Sequence, residues 1–391
     1  MKNLETLINE LCPDGVEFQT MEEIFEIRNG YTPSKNNPDF WENGTIPWFR
    51  MEDIRQNGRI LSDAIQHITP AAIKGKGLFP VNSIIIATTA TIGEHALVIA
   101  DSLANQRFTN LTVRKSLTDR LLPKFVFYYM FVIDEWCKKN VNAGNFASVD
   151  MKRFKKIEFP LPPIEVQNEI VRILDKFTSL EAELEAELDC RKRQYEYYRD
   201  KLLSFENVGG QNVEWKTLGE LAEIGTGSSN TKDGLSEGLY PFYTRGQEVL
   251  RKNEYEFDDE AIITAGDGVG VGKVIHYVKG KYALHQRAYR FKPGDLLNAR
   301  FLYFYMTSTF YKYVCGNSVS SSVSSLRKPR LLKYPIPLLP MQEQMRIVSI
   351  LDRFESLTTS LTEGLPAEIA ARRQQYEHYR DKLLTFKRKT A

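Results

Sequence analysis

The amino-acid sequence predicts a mixed α/β protein: two similar α/β domains separated by two long helices that pack as an antiparallel coiled coil, with a pseudo-two-fold internal repeat. Three observations predict this fold: a duplicated segment, strand-like runs in each half, and a heptad pattern that begins within each copy of the segment and continues beyond it. A chain of 391 residues favours two domains, because one domain usually has about 100 to 200 residues. The predicted domains are 1–162 and 207–339, and the predicted spacer helices are 163–206 and 340–391.

The duplication is the strongest of the three observations. Lys156–Asp175 aligns with Lys333–Asp352 without a gap, and Arg193–Phe205 aligns with Gln374–Phe386. The distance between the copies is far longer than the period of a solenoid repeat, which is about 20 to 50 residues. The sequence therefore indicates a duplicated domain-plus-helix unit.

Each half contains short runs of β-branched and aromatic residues bounded by Gly, Asn and Asp, which is the pattern of strands. Helical patterns lie beside them. The predicted strands are 83–88, 97–100, 109–113, 261–265, 273–278 and 288–291, and the predicted helices are 2–11, 122–138 and 299–313.

From Ile170 and from Ile347 onward, apolar residues recur at steps of three and four, which predicts the seam of a coiled coil. The alternative is an amphipathic helix on its own domain, but a helix over 164–205 would span on the order of 60 Å and therefore packs partly on something else. Gly364 and Pro366 predict a kink or break in the second helix. The seam residues are Ile170, Ile173, Phe177, Leu180, Leu184 and Leu188, then Ile347, Ile350, Phe354, Leu357, Leu361 and Ile369.

Composition excludes several classes of protein. Apolar content of 42% fits a globular chain, and no apolar run approaches the roughly 18 residues of a membrane span, so we expect a cytoplasmic protein with no membrane partner. The four cysteines form no C-x-x-C pair and the histidines have no ligand spacing with them, which predicts neither a metal site nor a disulfide framework. Because the net charge is only +2, any nucleic-acid surface depends on local clusters.

Two motifs resemble catalytic elements but fail in detail. Asn37–Phe40 reads Asn-Pro-Asp-Phe, with Asp39 where an adenine methyltransferase motif has its second proline. Gly266–Lys273 is rich in glycine, but Val274 stands where a phosphate-binding loop needs Ser or Thr. We interpret this second segment as a tight turn after a strand, with contact to DNA as the alternative. The sequence predicts no catalytic residue.

Several short motifs follow one another along essentially the whole chain. They are Leu11-Cys-Pro-Asp-Gly-Val-Glu17, Gly30-Tyr-Thr-Pro-Ser34, Asn43-Gly-Thr-Ile-Pro-Trp48, Ala90-Thr-Ile-Gly93, and the repeated Pro-x-x-Pro-x-x-x-Gln before a helix that ends in Tyr-x-x-Tyr-Arg-Asp-Lys-Leu-Leu. Individually these motifs are weak, but their order and duplication are specific. With them the chain resembles the specificity subunits of type I restriction-modification systems.

The resemblance implies two target-recognition domains, each reading one half of an asymmetric bipartite site in double-stranded DNA. It also implies that the helices dock two methyltransferase subunits and that the assembly recruits endonuclease/translocase subunits. S-adenosylmethionine, ATP and Mg would then bind to the partner subunits and not to this chain, which would be non-catalytic. The alternatives are a self-sufficient methyltransferase or restriction enzyme, and a coiled-coil scaffold.

Candidate DNA-binding residues are those of the types that contact phosphates and base edges. Basic clusters precede both spacer helices at corresponding positions, although one such cluster is often only a solvated face. The other candidates lie in loops of each half, including the repeated Gln-Arg pair. The full set is Arg28, Asn29, Lys35, Gln106, Arg107, Lys152, Arg153, Lys155, Lys156, Arg245, Gln286, Arg287, Ser320, Arg327, Lys328 and Arg330.

Overall fold

A computed structural model of the protein describes residues 4–142, 147–205, 213–316, 325–360 and 362–389. They group into two units. Unit 1 comprises residues 1–183 and 370–391, and unit 2 comprises residues 184–369. Each unit therefore contains one of the predicted domains together with parts of both predicted spacer helices.

Unit 1 is a mixed α/β unit, as the sequence predicts. Its helices are α1 (Leu4–Leu11), α2 (Met21–Ile24), α3 (Met51–Asn57), α4 (Pro123–Lys139), α5 (Met151–Lys155) and the first part of α6 (Ile164–Leu202). Its strands are β1 (Glu17–Thr20), β2 (Phe25–Asn29), β3 (Ile46–Phe49), β4 (Ile60–Leu61), β5 (His67–Ile68), β6 (Ser83–Ala87), β7 (His95–Val98), β8 (Leu103–Ala104), β9 (Phe108–Val113), β10 (Val141–Asn142), β11 (Ser148–Val149) and β12 (Glu158–Leu161).

Unit 2 is also mixed α/β. Its helices are the second part of α6, α7 (Leu218–Leu221), α8 (Ala299–Cys315), α9 (Lys328–Leu332), α10 (Met341–Thr359) and the start of α11 (Gly364–Leu383), which continues into unit 1. Its strands are β13 (Glu214–Thr217), β14 (Ala222–Thr226), β15 (Tyr240–Tyr243), β16 (Leu250–Lys252), β17 (Phe257–Ala265), β18 (Ile275–Leu284), β19 (Ala288–Pro293) and β20 (Pro335–Leu338).

The main sheets of the two units share a plan. The strand order is β2-β9-β6-β7-β4 in unit 1 and β14-β19-β17-β18-β15-β16 in unit 2. A separate antiparallel pair, β1 with β12 or β13 with β20, joins the start of each domain to the segment before its spacer helix. The central strand β6 is buried along its whole length, since its Ile-Ile-Ile run is apolar on both faces.

A buried glutamine fastens the start of the spacer helix in unit 1. The side-chain Oε1 of Gln167 accepts a hydrogen bond from the backbone N–H of Leu122 at 2.9 Å. Its Nε2 donates to the carbonyl oxygens of Arg120 and Pro162, both at 2.7 Å. The helix is thereby fixed to the loop that precedes α4.

Unit 2 repeats this arrangement with Gln344. Its Oε1 accepts from the N–H of Asn298 at 2.8 Å. Its Nε2 donates to the carbonyls of Leu296 at 3.0 Å and Leu339 at 2.8 Å. Gln167 and Gln344 are the glutamines of the repeated Pro-x-x-Pro-x-x-x-Gln motif, so this motif encodes a buried fastening of the helix.

Three aromatic rings pack the spacer helices together within unit 1. The ring of Phe177 stacks on Tyr379, with centroids 5.6 Å apart and planes at 24°, and lies 6.4 Å from Tyr376. One turn further along α6, Glu181 accepts a hydrogen bond from Arg373. Because residue numbers rise on α6 as they fall on α11, the two segments run antiparallel here.

The same three rings recur within unit 2. Phe354 stacks on Tyr198, with centroids 5.8 Å apart and planes at 25°, and lies 6.4 Å from Tyr195. Phe354 aligns with Phe177 in the duplication, and Tyr195 and Tyr198 align with Tyr376 and Tyr379. Each offset aromatic pair adds about 0.5 to 1.5 kcal/mol beyond the burial of its area.

The predicted break in the second spacer helix is confirmed: α10 ends at Thr359 and α11 begins at Gly364. Pro366 then lies in the first turn of α11, where its missing N–H costs no intrahelical hydrogen bond. Every seam residue that the structure describes is buried or half-buried, and Leu361 lies outside the described residues.

We expect Gln167→Ala and Gln344→Ala each to destabilise the unit that contains the glutamine by about 2 to 4 kcal/mol, because backbone groups that the side chain satisfies would be left buried and unpaired. Hydrogen–deuterium exchange during urea titration would follow the two units separately. The exposed neighbour Asn168 provides the control, and Asn168→Ala should change stability by less than about 0.5 kcal/mol. Equal effects of Gln167→Ala and Asn168→Ala would contradict the fastening role.

Candidate nucleic-acid interface

The Asn105-Gln-Arg element of unit 1 forms a tight turn between β8 and β9. The backbone N–H of Phe108 donates to the carbonyl of Asn105 at 3.1 Å, and the N–H of Arg107 donates to Oδ1 of Asn105 at 3.0 Å. The carbonyl oxygen and the side-chain oxygen of Asn105 therefore both stabilise the turn. The side chains of Gln106 and Arg107 are exposed.

The His285-Gln-Arg element of unit 2 forms the same turn. The N–H of Ala288 donates to the carbonyl of His285 at 2.9 Å, and the N–H of Arg287 donates to Nδ1 of His285 at 3.0 Å. Gln286 and Arg287 are exposed. In both units the first residue of the element holds the turn, and the two residues after it face outward.

A second segment joins this turn in unit 1. The N–H of Thr88, just after β6, donates to the carbonyl of Arg107 at 3.0 Å, and the carbonyl of Thr88 accepts from the N–H of Val149 at 2.9 Å. Three stretches of sequence that lie far apart therefore meet at one place. We call this place the corner of unit 1: residues 88–93, 105–108 and 148–149.

Unit 2 has an equivalent corner: residues 266–273, 285–288 and 325–326. The N–H of Gly266, just after β17, donates to the carbonyl of Arg287 at 2.9 Å, and the carbonyl of Gly266 accepts from the N–H of Leu326 at 2.7 Å. The backbone plan is that of unit 1, but the side chains on it differ.

A glycine allows a further loop to lie against each corner. A Cβ on Gly30 would lie 2.3 Å from the carbonyl oxygen of Asn105, and one on Gly227 would lie 1.9 Å from that of Leu284. Real Cβ atoms do not approach so closely, so these positions require glycine. The loop after Gly30 then reaches the turn, where Thr32 donates a hydrogen bond to the side chain of Gln106.

Charge at the corner of unit 2 is organised by Asp267. Its carboxylate accepts from Arg245 at 2.7 Å and from Arg287 at 3.1 Å. Burial would raise the pKa of Asp267, but the hydrogen bonds and charges of the two arginines outweigh burial and lower it below its ordinary value. Burial first, and the charge of Arg245 next, lower the pKa of His285, so this ring is neutral at pH 7 and its Nδ1 is free to accept.

The remaining candidates of unit 1 differ in how they are held. Arg28 donates to the carbonyls of residues 76–78 at 2.7 to 3.4 Å and lies over the ring of Phe79, so its guanidinium fastens a loop. Asn29 is exposed and accepts a hydrogen bond from Thr109 at 3.1 Å, and Lys35 is exposed. A DNA contact by these three residues stays a prediction.

The basic clusters before the spacer helices lie on α5 and α9, immediately after the corner. The cationic residues are exposed on both helices; they are Lys152, Arg153, Lys155 and Lys156 in unit 1, and Arg327, Lys328 and Arg330 in unit 2. Pairing the corners through Ser148 and Ser325 aligns Arg153 with Arg330 but pairs Lys152 with Pro329. This is the register of the sequence duplication, and a phosphate contact by these clusters stays a prediction. Ser320 lies outside the described residues.

Sequence reasoning missed the support behind the corner of unit 1. His95 Nδ1 lies 2.6 Å from Oδ2 of Asp134, and both side chains are buried. A Cβ on Gly93 would lie 2.7 Å from the carbonyl oxygen of Asp134, so the end of the loop packs directly on this part of α4. No sequence pattern pairs a strand histidine with a helix aspartate 39 residues later.

Residues 13–189 and 211–371 match the family of the type I restriction modification DNA specificity domain. The specificity subunit of the type I restriction enzyme EcoprrI from Escherichia coli is 41% identical over 376 residues, covering 90% of this chain and 92% of the relative. The specificity subunit of EcoR124I/EcoR124II, also from Escherichia coli, is 34% identical over 302 residues, covering 68% of this chain and 72% of the relative.

Solved structures share the fold. The S subunit of a type I restriction-modification system from M. genitalium superimposes with a TM-score of 0.53, covering 95% of this chain and 96% of that chain at 16% identity. The HsdS subunit from Thermoanaerobacter tengcongensis gives a TM-score of 0.55, covering 96% and 97% at 16% identity. The chain belongs to the family of type I restriction-modification specificity subunits, whose role is DNA sequence specificity.

Within the described ranges, no group of three or more His, Cys, Asp or Glu side chains is arranged to hold a metal ion. Among the helices of that same part of the chain, none combines the length and the apolar character that crossing a bilayer requires.

Arg107→Ala and Arg287→Ala should each weaken specific DNA binding by about 1 to 3 kcal/mol, if each guanidinium makes a bidentate contact to a base. Lys115→Ala and Lys292→Ala are matched controls, because these exposed cations lie at the far ends of β9 and β19 from the turns. Binding isotherms on specific and scrambled duplexes would measure the effect. Normal specific binding by both arginine variants would mean that the turn is only structural.

His285→Asn should preserve the turn of unit 2, because Asn105 already holds the same turn in unit 1. Its pH response should change. The pKa of His285 is lowered in the folded protein, so the turn is most stable above the ordinary histidine pKa of about 6.5 and loses stability as the pH falls below it. Amide exchange at Arg287, corrected for the intrinsic rate, should accelerate between pH 7.5 and 5.5 relative to Arg107. If amide exchange at Arg287 accelerates equally in the His285→Asn variant, the histidine ring is not the source of the pH response.

Proposed function

We propose that each unit reads one half of an asymmetric bipartite site in double-stranded DNA through its corner, and that this chain itself is non-catalytic. One observation carries the proposal: the same backbone corner is built twice, with the Gln-Arg pair exposed in both and different side chains around it. A common scaffold with unlike side chains suits two readers of unlike sequences.

The side chains at the corners are of the types that read DNA. Arginine donates in bidentate fashion to guanine, and glutamine pairs with adenine in the major groove. Exposed lysines and arginines on α5 and α9, which follow the corners directly, suit contacts with phosphates that position the protein without reading sequence.

Type I restriction enzymes are assemblies, and we propose that this chain binds two methyltransferase subunits as well as endonuclease/translocase subunits. The helical spacer is the surface that we assign to them. Tyr197 on α6 is 61% exposed, and tyrosine is among the residue types enriched in protein–protein interfaces. S-adenosylmethionine, ATP and Mg would bind to those partners.

The experiment exchanges residues 213–332 for the corresponding segment of a relative with a different known site. The hybrid, assembled with the methyltransferase subunits, should change one half of the methylated site and leave the other half intact. Sequencing of methylated DNA gives the result, and the reciprocal exchange in unit 1 is the matched control. A hybrid that alters both halves would contradict independent reading.

The same preparations test catalysis. The purified chain alone should transfer no methyl group to DNA in the presence of S-adenosylmethionine and should not cleave DNA, whereas the assembled complex should methylate its site. Methylation by the chain alone would overturn the non-catalytic assignment. If the assembled complex does not bind DNA, the proposed reading role is overturned and the coiled-coil scaffold alternative is favoured.

A further inference from the structure

Val269 is the tip of the loop that forms part of the corner of unit 2. The residue is 97% exposed, although valine is apolar. A turn closes around it, since the N–H of Val271 donates to the carbonyl of Gly268 at 3.3 Å. Val269 therefore lies almost entirely in solvent, two residues after the aspartate that binds the arginines of this corner.

The loop is anchored on both sides of Val269. Before the tip, Asp267 accepts from Arg245 and Arg287. After the tip, the N–H of Val274 donates to the carbonyl of Gly270 at 2.9 Å. A Cβ on Gly270 would lie 2.4 Å from the carbonyl oxygen of Arg245, so the loop backbone packs directly against its neighbour. The exposure of Val269 is thus a fixed feature of the corner.

A single exposed apolar side chain needs no explanation in general. Three observations set this one apart: its tip position, its anchored loop, and its place two residues after Asp267, which binds both arginines of the corner. The corresponding loop of unit 1, residues 88–94, is two residues shorter than residues 266–274, and Ala90 is its exposed small apolar residue. The two corners therefore differ at their tips.

An apolar side chain that enters the major groove can pack on the 5-methyl group of thymine. This methyl group is the one alkyl group on the edges of the four bases. We propose that Val269 contacts the 5-methyl group of a thymine in the half-site that unit 2 reads. This inference rests on the proposed function, and it assigns to Val269 a specificity-determining role.

The test is a double-mutant cycle on the full chain assembled with its methyltransferase subunits. Each thymine of the unit 2 half-site is replaced in turn by deoxyuridine, which keeps the base pair and removes only the methyl group. At one thymine the native complex should lose about fourfold in affinity, the value expected for one buried methyl group. Val269→Ala should lose about fourfold or more on the unmodified duplex and show no further loss at that thymine.

Leu296→Ala is the control, because Leu296 is a 59% exposed apolar residue beyond the far end of β19 from the turn. It should respond to deoxyuridine as the native complex does. If Val269→Ala binds normally, or responds to every replacement as the native complex does, this inference alone is overturned. If the native complex binds no specific site, the proposed function fails, and this inference fails with it.

Discussion

The structure depends on two aromatic clusters that join the spacer segments. Phe177 packs on Tyr376 and Tyr379 in unit 1, and Phe354 packs on Tyr195 and Tyr198 in unit 2. In each cluster, the phenylalanine and the tyrosines come from different copies of the duplicated segment. Each unit is therefore completed by spacer residues from both copies.

The end of each spacer continues this interdependence into the domain core. Phe386 packs on Phe125 in unit 1, with centroids 6.2 Å apart, and Phe205 packs on Phe301 in unit 2, with centroids 6.4 Å apart. The spacers are thus part of the hydrophobic cores. This constraint explains why Tyr-x-x-Tyr-Arg-Asp-Lys-Leu-Leu is kept in both copies while the loops of the corners diverge.

Much of the fold follows from the sequence. The duplication and the seam predict two domains with antiparallel spacers, and Gly364 with Pro366 predicts the break between α10 and α11. The strand pairs β1–β12 and β13–β20 are harder to predict from the sequence, because Pro160 and Pro337 argue against strands at these positions. Both lie in two-stranded pairs, where a missing donor is tolerated. Their pairing joins segments more than 100 residues apart, which no local pattern encodes.

The candidate site was predicted in part. The repeated Gln-Arg pair is identifiable because it recurs, and both copies lie exposed on matching turns. The roles of their neighbours depend on contacts distant in sequence. Arg28 holds a loop some 50 residues away, and Asp267 holds two arginines from separate loops. Residue type marks such residues as candidates, but only the fold distinguishes a side chain that binds another loop of the protein from one that is exposed to solvent.

Site-specific photo-crosslinking can show whether the two corners contact different halves of one DNA site. A photoreactive phenylalanine analogue replaces Gln106 in one preparation and Gln286 in another, each in the assembled enzyme on its specific duplex, and the crosslinked nucleotides are mapped. We expect position 106 to crosslink only within one half-site and position 286 only within the other. Crosslinks from both positions to the same half-site would contradict it.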